Sequence, residues 1–261
     1  MGSLAGKSPA NTYKSLLKVA DETNGVSATA SQIQDGEGTN TCLYISDDGL
    51  LVRPENDNTT STLFVRGVTG ATVLAADTSN NVVKIGSTQT PANSQILEFH
   101  ARGLVPASAG THYFVPRPDS HYGLSNIETA LGTGTDPDTT YDAGATKDEV
   151  LCKLFIVPVN STIDACKFMV STSTDTDTII NVHLYKFTMR NSGDTDDGLL
   201  TSGTLLANGQ ATAVDRNVIK TIDCTIDSSA VSAGEVIACF VENETNTDTV
   251  FLQTQVLYHF D

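Results

Sequence analysis

Apolar residues recur at alternate positions in short runs along most of the chain, and turn-forming residues separate the runs. From Glu149 onward the alternation is clearest, and each run ends in a loop rich in Asn, Asp, Gly, Ser or Thr. A period of two is typical of strands with one face in a core. The pattern predicts an antiparallel β-sandwich of jelly-roll type for residues 111–261. The runs are EVLCKLFIVPVN, TIDACKFMVST, TIINVHLYKFTMR, RNVIKTIDCTI, EVIACFVE and TVFLQTQVLYHF.

One segment near the N-terminus shows the helical period instead. Tyr13, Leu16, Leu17 and Ala20 follow the i, i+3, i+4, i+7 spacing, and Gly25 can end a helix. We therefore expect one short helix within a mainly β fold.

The stretch TLFVRGVTGATVLAADTSNNVVKIG, residues 62–86, predicts two short hairpins end to end. The turns are expected near residues 68–70 and 79–81, where Gly and Asn occur. Hairpins this thin are marginal in water unless another surface covers their apolar face. Three copies around a three-fold axis would provide that surface and form a β-prism. The residues expected to meet in this trimer are Phe64, Val73, Leu74, Val82 and Ile85.

Changes of composition divide the chain into four parts. Residues 1–60 hold few large apolar residues, 61–88 form the ribbon of hairpins, 89–110 read as a neck with one short strand, and 111–261 form the C-terminal domain. The polar stretch NIETALGTGTDPDTTYDAGATKDE is expected to be a long loop that serves function or packing.

Charge and hydropathy exclude several classes of partner. The 15 Lys and Arg against 31 Asp and Glu give a net charge of −16, which repels polyanions, so we expect no nucleic-acid partner. No run approaches the roughly 20 apolar residues of a membrane span, so no membrane insertion is expected. The N-terminus lacks the apolar core of a secretory signal.

The cysteines are widely spaced, and none belongs to a CxxC motif, so a zinc-finger type of site and a disulfide framework are both disfavoured. We expect them to be reduced and buried in strands. They are Cys42, Cys152, Cys166, Cys224 and Cys239.

The sequence holds only weak candidates for ion binding, and no cofactor is expected. The spacing of His112, Asp119 and His121 fits no standard metal site. Asp194, Asp196 and Asp197 could bind calcium, but the loop lacks the terminal Glu of an EF-hand. The remaining histidines, His100, His183 and His259, lie in strand patterns and are expected to be half-buried with wet ring tips.

Catalysis has no positive evidence in the sequence. G-x-S-x-G, H-E-x-x-H and phosphate-binding loops do not occur, and we expect no enzymatic activity. Tyr122 and Tyr141 lie in the polar segment, where exposed rings could face a receptor.

Residues 11–54 carry a resemblance to a known family. The ordered set Tyr13, Leu16, Asn24, Gly25, Asp35, Gly36, Gly38, Leu43 and Ser46 is similar to the N-terminal segment of bacteriophage fibre and appendage proteins. Family members often have Arg before the DGEG run, where this chain has Ser31 and Gln32. Contacts made by that Arg are therefore not carried over.

The resemblance implies a trimeric virion protein, of the tail-fibre or head-fibre type, assembled in the host cytoplasm. It implies that residues 1–60 bind other virion proteins and that the C-terminal domain faces outward, where it could recognise a host glycan or protein. One alternative is a capsid decoration protein without receptor binding. Another is a polysaccharide depolymerase, which the absence of β-helix repeats disfavours. The residues implied in anchoring are Tyr13, Leu16, Leu17, Asn24, Gly25, Asp35, Gly36 and Gly38.

Overall fold

The computed structural model describes residues 17–21, 23–86, 90–118, 129–142, 150–189 and 199–261. Antiparallel β-strands dominate these residues, so the predicted mainly β class is confirmed. The chain divides into two compact units, Met1–Ala92 and Asn93–Asp261. Within the described residues, no helix has the length and apolar character needed to cross a membrane.

The first unit contains two small antiparallel sheets whose strands are neighbours in chain order. The first sheet consists of β1 (Lys18–Val19), β2 (Ser31–Gln34), β3 (Asn40–Ile45) and β4 (Leu50–Val52). The second consists of β5 (Leu63–Arg66), β6 (Thr72–Asp77), β7 (Val82–Ile85) and β8 (Thr90–Pro91). The two hairpins predicted within residues 62–86 are the β5–β6 and β6–β7 pairs.

The helix predicted near the N-terminus is wrong in its described part. Lys18 and Val19 form a strand that pairs with Gln34 and Ile33. Leu17 is 71% exposed and Ala20 is exposed too, so the described part of the expected apolar stripe covers no core. A helix this short is marginal in water without such a core, and strand pairing satisfies the backbone instead.

One type of turn closes two connections of the first unit. The Asp77 carboxylate accepts hydrogen bonds from the amides of Ser79 and Asn80, at 3.1 and 3.0 Å, and from the Asn80 side chain at 2.8 Å. Asp21 makes the same set of contacts with residues 23 and 24. The residue after Asn80 is Asn81, with a φ of 56°, and the residue after Asn24 is Gly25, with a φ of 62°. Gly and Asn tolerate a positive φ best. The pattern Asp-x-x-Asn followed by Gly or Asn therefore specifies this turn.

Lys84 completes the surroundings of Asp77, with its Nζ 2.7 Å from the carboxylate. Burial raises the pKa of Asp77, but hydrogen bonds from Lys84 and Asn80 outweigh it and lower the pKa from 3.8 to about 2. Because the folded pKa lies below the unfolded one, the ionised carboxylate contributes stability above about pH 4, and that contribution is lost as the pH falls towards 2.

Asp77→Asn should therefore loosen the β6–β7 hairpin at pH 6 and have a much smaller effect near pH 2. Hydrogen exchange of residues 72–85, corrected for intrinsic rates, measures this difference. Asp57→Asn removes an exposed charge in the same unit and serves as the control. Equal protection of wild type and Asp77→Asn at pH 6 would contradict the assignment.

The second unit consists of two antiparallel sheets. In chain order its strands are β9 (Ser94–Leu104), β10 (His112–Val115), β11 (Tyr141–Asp142), β12 (Leu154–Ile156), β13 (Ser161–Thr172), β14 (Thr178–Met189), β15 (Leu199–Val214), β16 (Lys220–Asp223), β17 (Thr225–Ile226), β18 (Ala230–Val231), β19 (Val236–Asn243) and β20 (Val250–Phe260). The larger sheet has the strand order β10-β19-β14-β15-β11, with β12 beside β19 and β17 beside β15. The smaller sheet has the order β16-β13-β20-β9, with β18 beside β13.

The main core lies between these sheets. Phe99 and Phe168 enter it from the smaller sheet, and Leu184 and Val241 enter it from the larger one. A second apolar cluster covers the opposite, outer face of the larger sheet, where residues 129–142 pack over Phe114, Tyr185 and Phe240. The stretch predicted as a long polar loop thus serves packing in its described part.

The segment predicted as a neck differs from the expectation. Ser94–Leu104 forms β9, which pairs with β20 along nearly its whole length and belongs to the second unit. Leu97, Phe99 and Ala101 alternate into the main core, which explains why this segment extends the sheet.

Each of the six runs predicted as strands contains a strand, but the pattern does not predict β15, the longest strand among the described residues. Its sequence, LLTSGTLLANGQATAV, interrupts the apolar alternation with small residues. A Cβ on Gly203 would lie 2.7 Å from a ring carbon of Phe187, and one on Gly209 would lie 2.8 Å from a ring carbon of Phe168. These glycines are needed because aromatic side chains lie directly against the strand.

We expect Gly203→Ala and Gly209→Ala each to lower the free energy of unfolding by about 2 kcal/mol, because the added methyl group overlaps a buried ring. Urea unfolding of the full chain measures the change. Ala213→Gly is the matched substitution in the same strand, because Ala213 is exposed and has a φ of 50°. This variant should have a free energy of unfolding about 1 kcal/mol higher than that of the wild type. Neutral Gly→Ala variants would contradict the packing described for β15.

The cysteines are less uniformly buried than predicted. Cys166 and Cys239 are buried, Cys152 and Cys224 are intermediate, and Cys42 is exposed. Burial raises the pKa of Cys239 to about 12, so its thiol is inert at neutral pH.

Candidate functional site

Three ionisable side chains meet on the outer face of the larger sheet. His112 on β10 lies directly opposite Glu242 on β19, and His183 comes from the adjacent strand β14. One ring nitrogen of each histidine and one carboxylate oxygen of Glu242 lie within 4.8 Å of one another, and all three residues are buried. We call these residues the His–His–Glu cluster.

His112 is fully buried and has one committed nitrogen. Its Nε2 lies 2.9 Å from the carbonyl oxygen of Gly134, while its Nδ1 has no hydrogen-bond partner. A carbonyl oxygen can only accept, so the neutral ring carries its proton on Nε2. The lone pair of Nδ1 is therefore available inside the protein.

His183 is 6% exposed, and neither of its ring nitrogens makes a hydrogen bond. Its ring stands edge-on to that of His112, with 4.9 Å between the centroids, and its Nδ1 is 3.5 Å from a carboxylate oxygen of Asp136. Burial, with a further contribution from His112, lowers the pKa of His183 to about 4. The ring is therefore neutral at pH 7 and presents an unprotonated nitrogen.

Glu242 is 5% exposed. The Asn181 side chain donates a hydrogen bond of 2.7 Å to its Oε2. A carboxylate buried this deeply is unfavourable unless a cation or several donors compensate its charge.

A loop covers the cluster and positions it. The Leu131 amide donates to the His112 carbonyl at 2.8 Å, and the His112 amide donates to the Gly132 carbonyl at 3.1 Å. Gly132 has a φ of 84°, and a Cβ there would lie 2.7 Å from the carboxyl group of Asp138. Glycine is thus required at this position.

Two imidazole nitrogens and a carboxylate oxygen form a donor set that suits divalent transition metals, whereas Ca²⁺ and Mg²⁺ prefer oxygen ligands alone.

Sequence reasoning found only one member of this cluster. The sequence groups His112 with Asp119 and His121, which lie outside the described residues. The calcium candidates Asp194, Asp196 and Asp197 lie outside them too. The prediction of a wet ring tip for His183 is wrong, because residues 129–138 cover it. No local signal could have joined His112, His183 and Glu242, since three separate strands carry them.

The two tyrosines predicted to face a receptor are not both described. Tyr122 lies outside the described residues. Tyr141 is half-buried and packs edge-on against Phe114 at 5.2 Å, so its ring is held against the second cluster.

The residues implied in anchoring lie mostly in the first sheet and its turns. Tyr13 and Leu16 lie outside the described residues, and Leu17 precedes β1. Asn24 and Gly25 belong to the turn closed by Asp21. Asp35, Gly36 and Gly38 lie between β2 and β3, where the Asp35 carboxylate accepts from the amides at positions 37 and 39.

The strand register divides the predicted trimer residues between two faces of the second sheet. Leu74 pairs directly with Val65 and Ile85, so these side chains share one face. Phe64, Val73 and Val82 lie on the opposite face. We call the first face the ribbon face; it consists of Leu63, Val65, Leu74, Ala76, Val83 and Ile85.

The ribbon face is apolar and open to solvent. Leu63 is 40% exposed, Val65 48%, Val83 44% and Ile85 53%. The first sheet has a similar face, on which Leu43 pairs with Val52 and Ile45 with Leu50, and Leu50 is 67% exposed.

A groove of about 510 Å³ crosses the outside of the smaller sheet. Arg102, Met169, Ile219 and Phe251 contribute to its lining, and Ile219 is 73% exposed. An apolar concavity with a few polar groups is the usual form of a ligand pocket.

No protein-family model matches the chain, and no curated protein matches it. Among solved structures, a CocE/NonD family hydrolase from Staphylococcus aureus is 8% identical with a TM-score of 0.31, covering 69% of this chain and 39% of the hydrolase. An aminopeptidase from a marine sediment Thaumarchaeota archaeon is 11% identical with a TM-score of 0.30, and the match covers 72% of this chain and 38% of the aminopeptidase. A chain of the empty virus-like particle of cowpea mosaic virus is 12% identical with a TM-score of 0.18, and the match covers 65% of this chain and 79% of the viral chain.

This chain therefore spans well under half the length of the hydrolase and of the aminopeptidase. TM-scores of this size do not establish a common fold.

Proposed function

We propose that this protein is a non-enzymatic structural component of a tailed-phage virion, a trimeric fibre that attaches through its first unit and presents its second unit outward. The observation that carries the proposal is the ribbon face, an aliphatic surface that a single chain leaves in water. The resemblance of residues 11–54 to phage fibre proteins supports the same function.

A small sheet with one open apolar face is marginally stable by itself. Second copies are the natural cover, because the same face on each chain can meet around a closed symmetry axis. Burial of the exposed halves of Leu63, Val65, Val83 and Ile85 in three chains gives roughly 10 kcal/mol before losses. A trimer forms from monomers in two association steps, each of which costs about 4–15 kcal/mol, so burial of the ribbon face alone is insufficient over most of that range. The face around Leu50 in the first sheet must therefore contribute to the trimer as well.

The strand order of the second unit supports the jelly roll that we propose for it. Four antiparallel pairs, β9 with β20, β10 with β19, β13 with β16 and β14 with β15, are nested along the chain. A long hairpin that curls over itself gives this nesting, and it distributes the pairs over two sheets as a jelly roll does.

Host-surface recognition is the proposed role of the second unit. The groove beside Phe251 and Met169 is the surface that supports it, since it combines apolar walls with Arg102. Three weak sites on one fibre would act together through avidity.

The trimer is tested by light scattering of the purified full chain after size-exclusion chromatography. Wild type should have three times the chain mass of 27.6 kDa. Val65→Glu combined with Ile85→Glu should give monomers, because charges are placed on the ribbon face. Val73→Glu is the matched control: Val73 is 52% exposed, like Ile85 at 53%, but lies on the opposite face.

A wild-type monomer would reject the proposed fibre. Dissociation by Val73→Glu, with the double variant still trimeric, would move the interface to the other face of the sheet. Electron cryo-microscopy of the phage particle tests the location, and the expected result is three copies joined at a site contacted by residues 1–60.

A further inference from the structure

We propose that the second unit binds one Zn²⁺ ion between His112, His183 and Glu242. The ion would join strands β10, β14 and β19 beneath the loop formed by residues 129–138. This inference depends neither on the trimer nor on the location of the protein in a virion, because every ligand belongs to one unit of one chain.

The first argument is the state of the buried polar atoms. Nδ1 of His112 and both ring nitrogens of His183 have no hydrogen-bond partner, although the two residues are only 0% and 6% exposed. Buried polar atoms are nearly always satisfied, and each exception needs an explanation. A divalent cation accounts for a nitrogen of each ring and also for the buried charge of Glu242.

The second argument is the geometry. Ligand atoms bound to one zinc ion at 2.0–2.2 Å lie roughly 3.4 Å apart in a tetrahedral site. The donor atoms of the His–His–Glu cluster lie within 4.8 Å of one another, so inward shifts of about 1 Å are needed. Rotations of three side chains can supply such shifts without movement of the sheet.

The third argument is the support around the ligands. Metal-bound histidines usually direct their second nitrogen at a carbonyl or carboxylate, which fixes the ring and its tautomer. Nε2 of His112 already has such a partner, the Gly134 carbonyl at 2.9 Å. Nδ1 of His183 makes no hydrogen bond, but a carboxylate oxygen of Asp136 lies 3.5 Å away and becomes its partner once Nε2 of His183 binds the ion. Asn181 holds the Glu242 carboxylate in the same way.

The donor set selects the metal class. Two imidazoles with one carboxylate suit Zn²⁺ and its neighbours in the transition series and leave a fourth position for water. Zn²⁺ is the proposed metal because it accepts four-coordinate sites with mixed nitrogen and oxygen ligands and does not change its oxidation state.

The chain contains a second histidine–carboxylate group that serves as an internal control. Nδ1 of His259 lies 2.9 Å from Asp164, and its Nε2 lies 3.8 Å from Asp261. This group is close to the surface, and its Nδ1 already pairs with the Asp164 carboxylate. Weak surface binding of zinc would occur here rather than in the His–His–Glu cluster.

The test uses the full chain after treatment with a chelator, titrated with Zn²⁺ by calorimetry and followed by thermal unfolding. We expect one Zn²⁺ per chain and a melting temperature raised by several degrees, because the ion binds the folded state. His183→Gln should weaken binding at least a hundredfold and abolish the thermal shift. His259→Gln should leave both unchanged.

Asn181→Ala retains all three ligands but removes the support of Glu242, and it should weaken binding about tenfold. If His183→Gln fails to fold, Co²⁺ added to the wild type replaces it as the test, and the visible bands of a tetrahedral site are expected. Three results would overturn the proposal: no Zn²⁺ binding by wild type, loss of binding in His259→Gln but not in His183→Gln, or only octahedral Co²⁺ spectra.

Discussion

Strand β19 lies inside the larger sheet with every side chain from Val236 to Asn243 buried. Such a strand requires a cover on each face of its sheet. The smaller sheet covers one face and creates the main core, while residues 129–142 cover the other. At one end of the outer face, this loop encloses His112, His183 and Glu242.

The first unit meets the same requirement differently. Its sheets are shaped by local turns, such as the one closed by Asp77, and each leaves an aliphatic face in water. On the ribbon face, Val65 remains 48% exposed and Ile85 53% exposed. In our proposal, other copies of the chain supply the cover that a loop and a second sheet supply in the second unit.

The two proposals thus concern different ways of completing a β-sheet. Association would complete the thin sheets of the first unit, and a metal ion would complete the polar end of the larger sheet in the second. Both depend on the register of the strands. In the ribbon, register decides which of the predicted trimer residues share a face, since Leu74 and Ile85 are separated from Phe64 and Val73 by the pleat. In the larger sheet, it sets His112 opposite Glu242.

The sequence by itself determined the features that depend on near neighbours. Alternation over a few residues identified six of the strands of the second unit, and turn residues located both hairpins of the ribbon, because strand faces and turn conformations are set locally. Tertiary structure alone decided the rest. The strand β15 contains Gly203 and Gly209 because Phe187 and Phe168 pack directly against it. Lys18 and Val19 pair with β2 although the apolar residues around them have a helical period. Three strands that are distant in the sequence bring the His–His–Glu cluster together. These outcomes depend on contacts between residues far apart in the chain, which no short window of sequence contains.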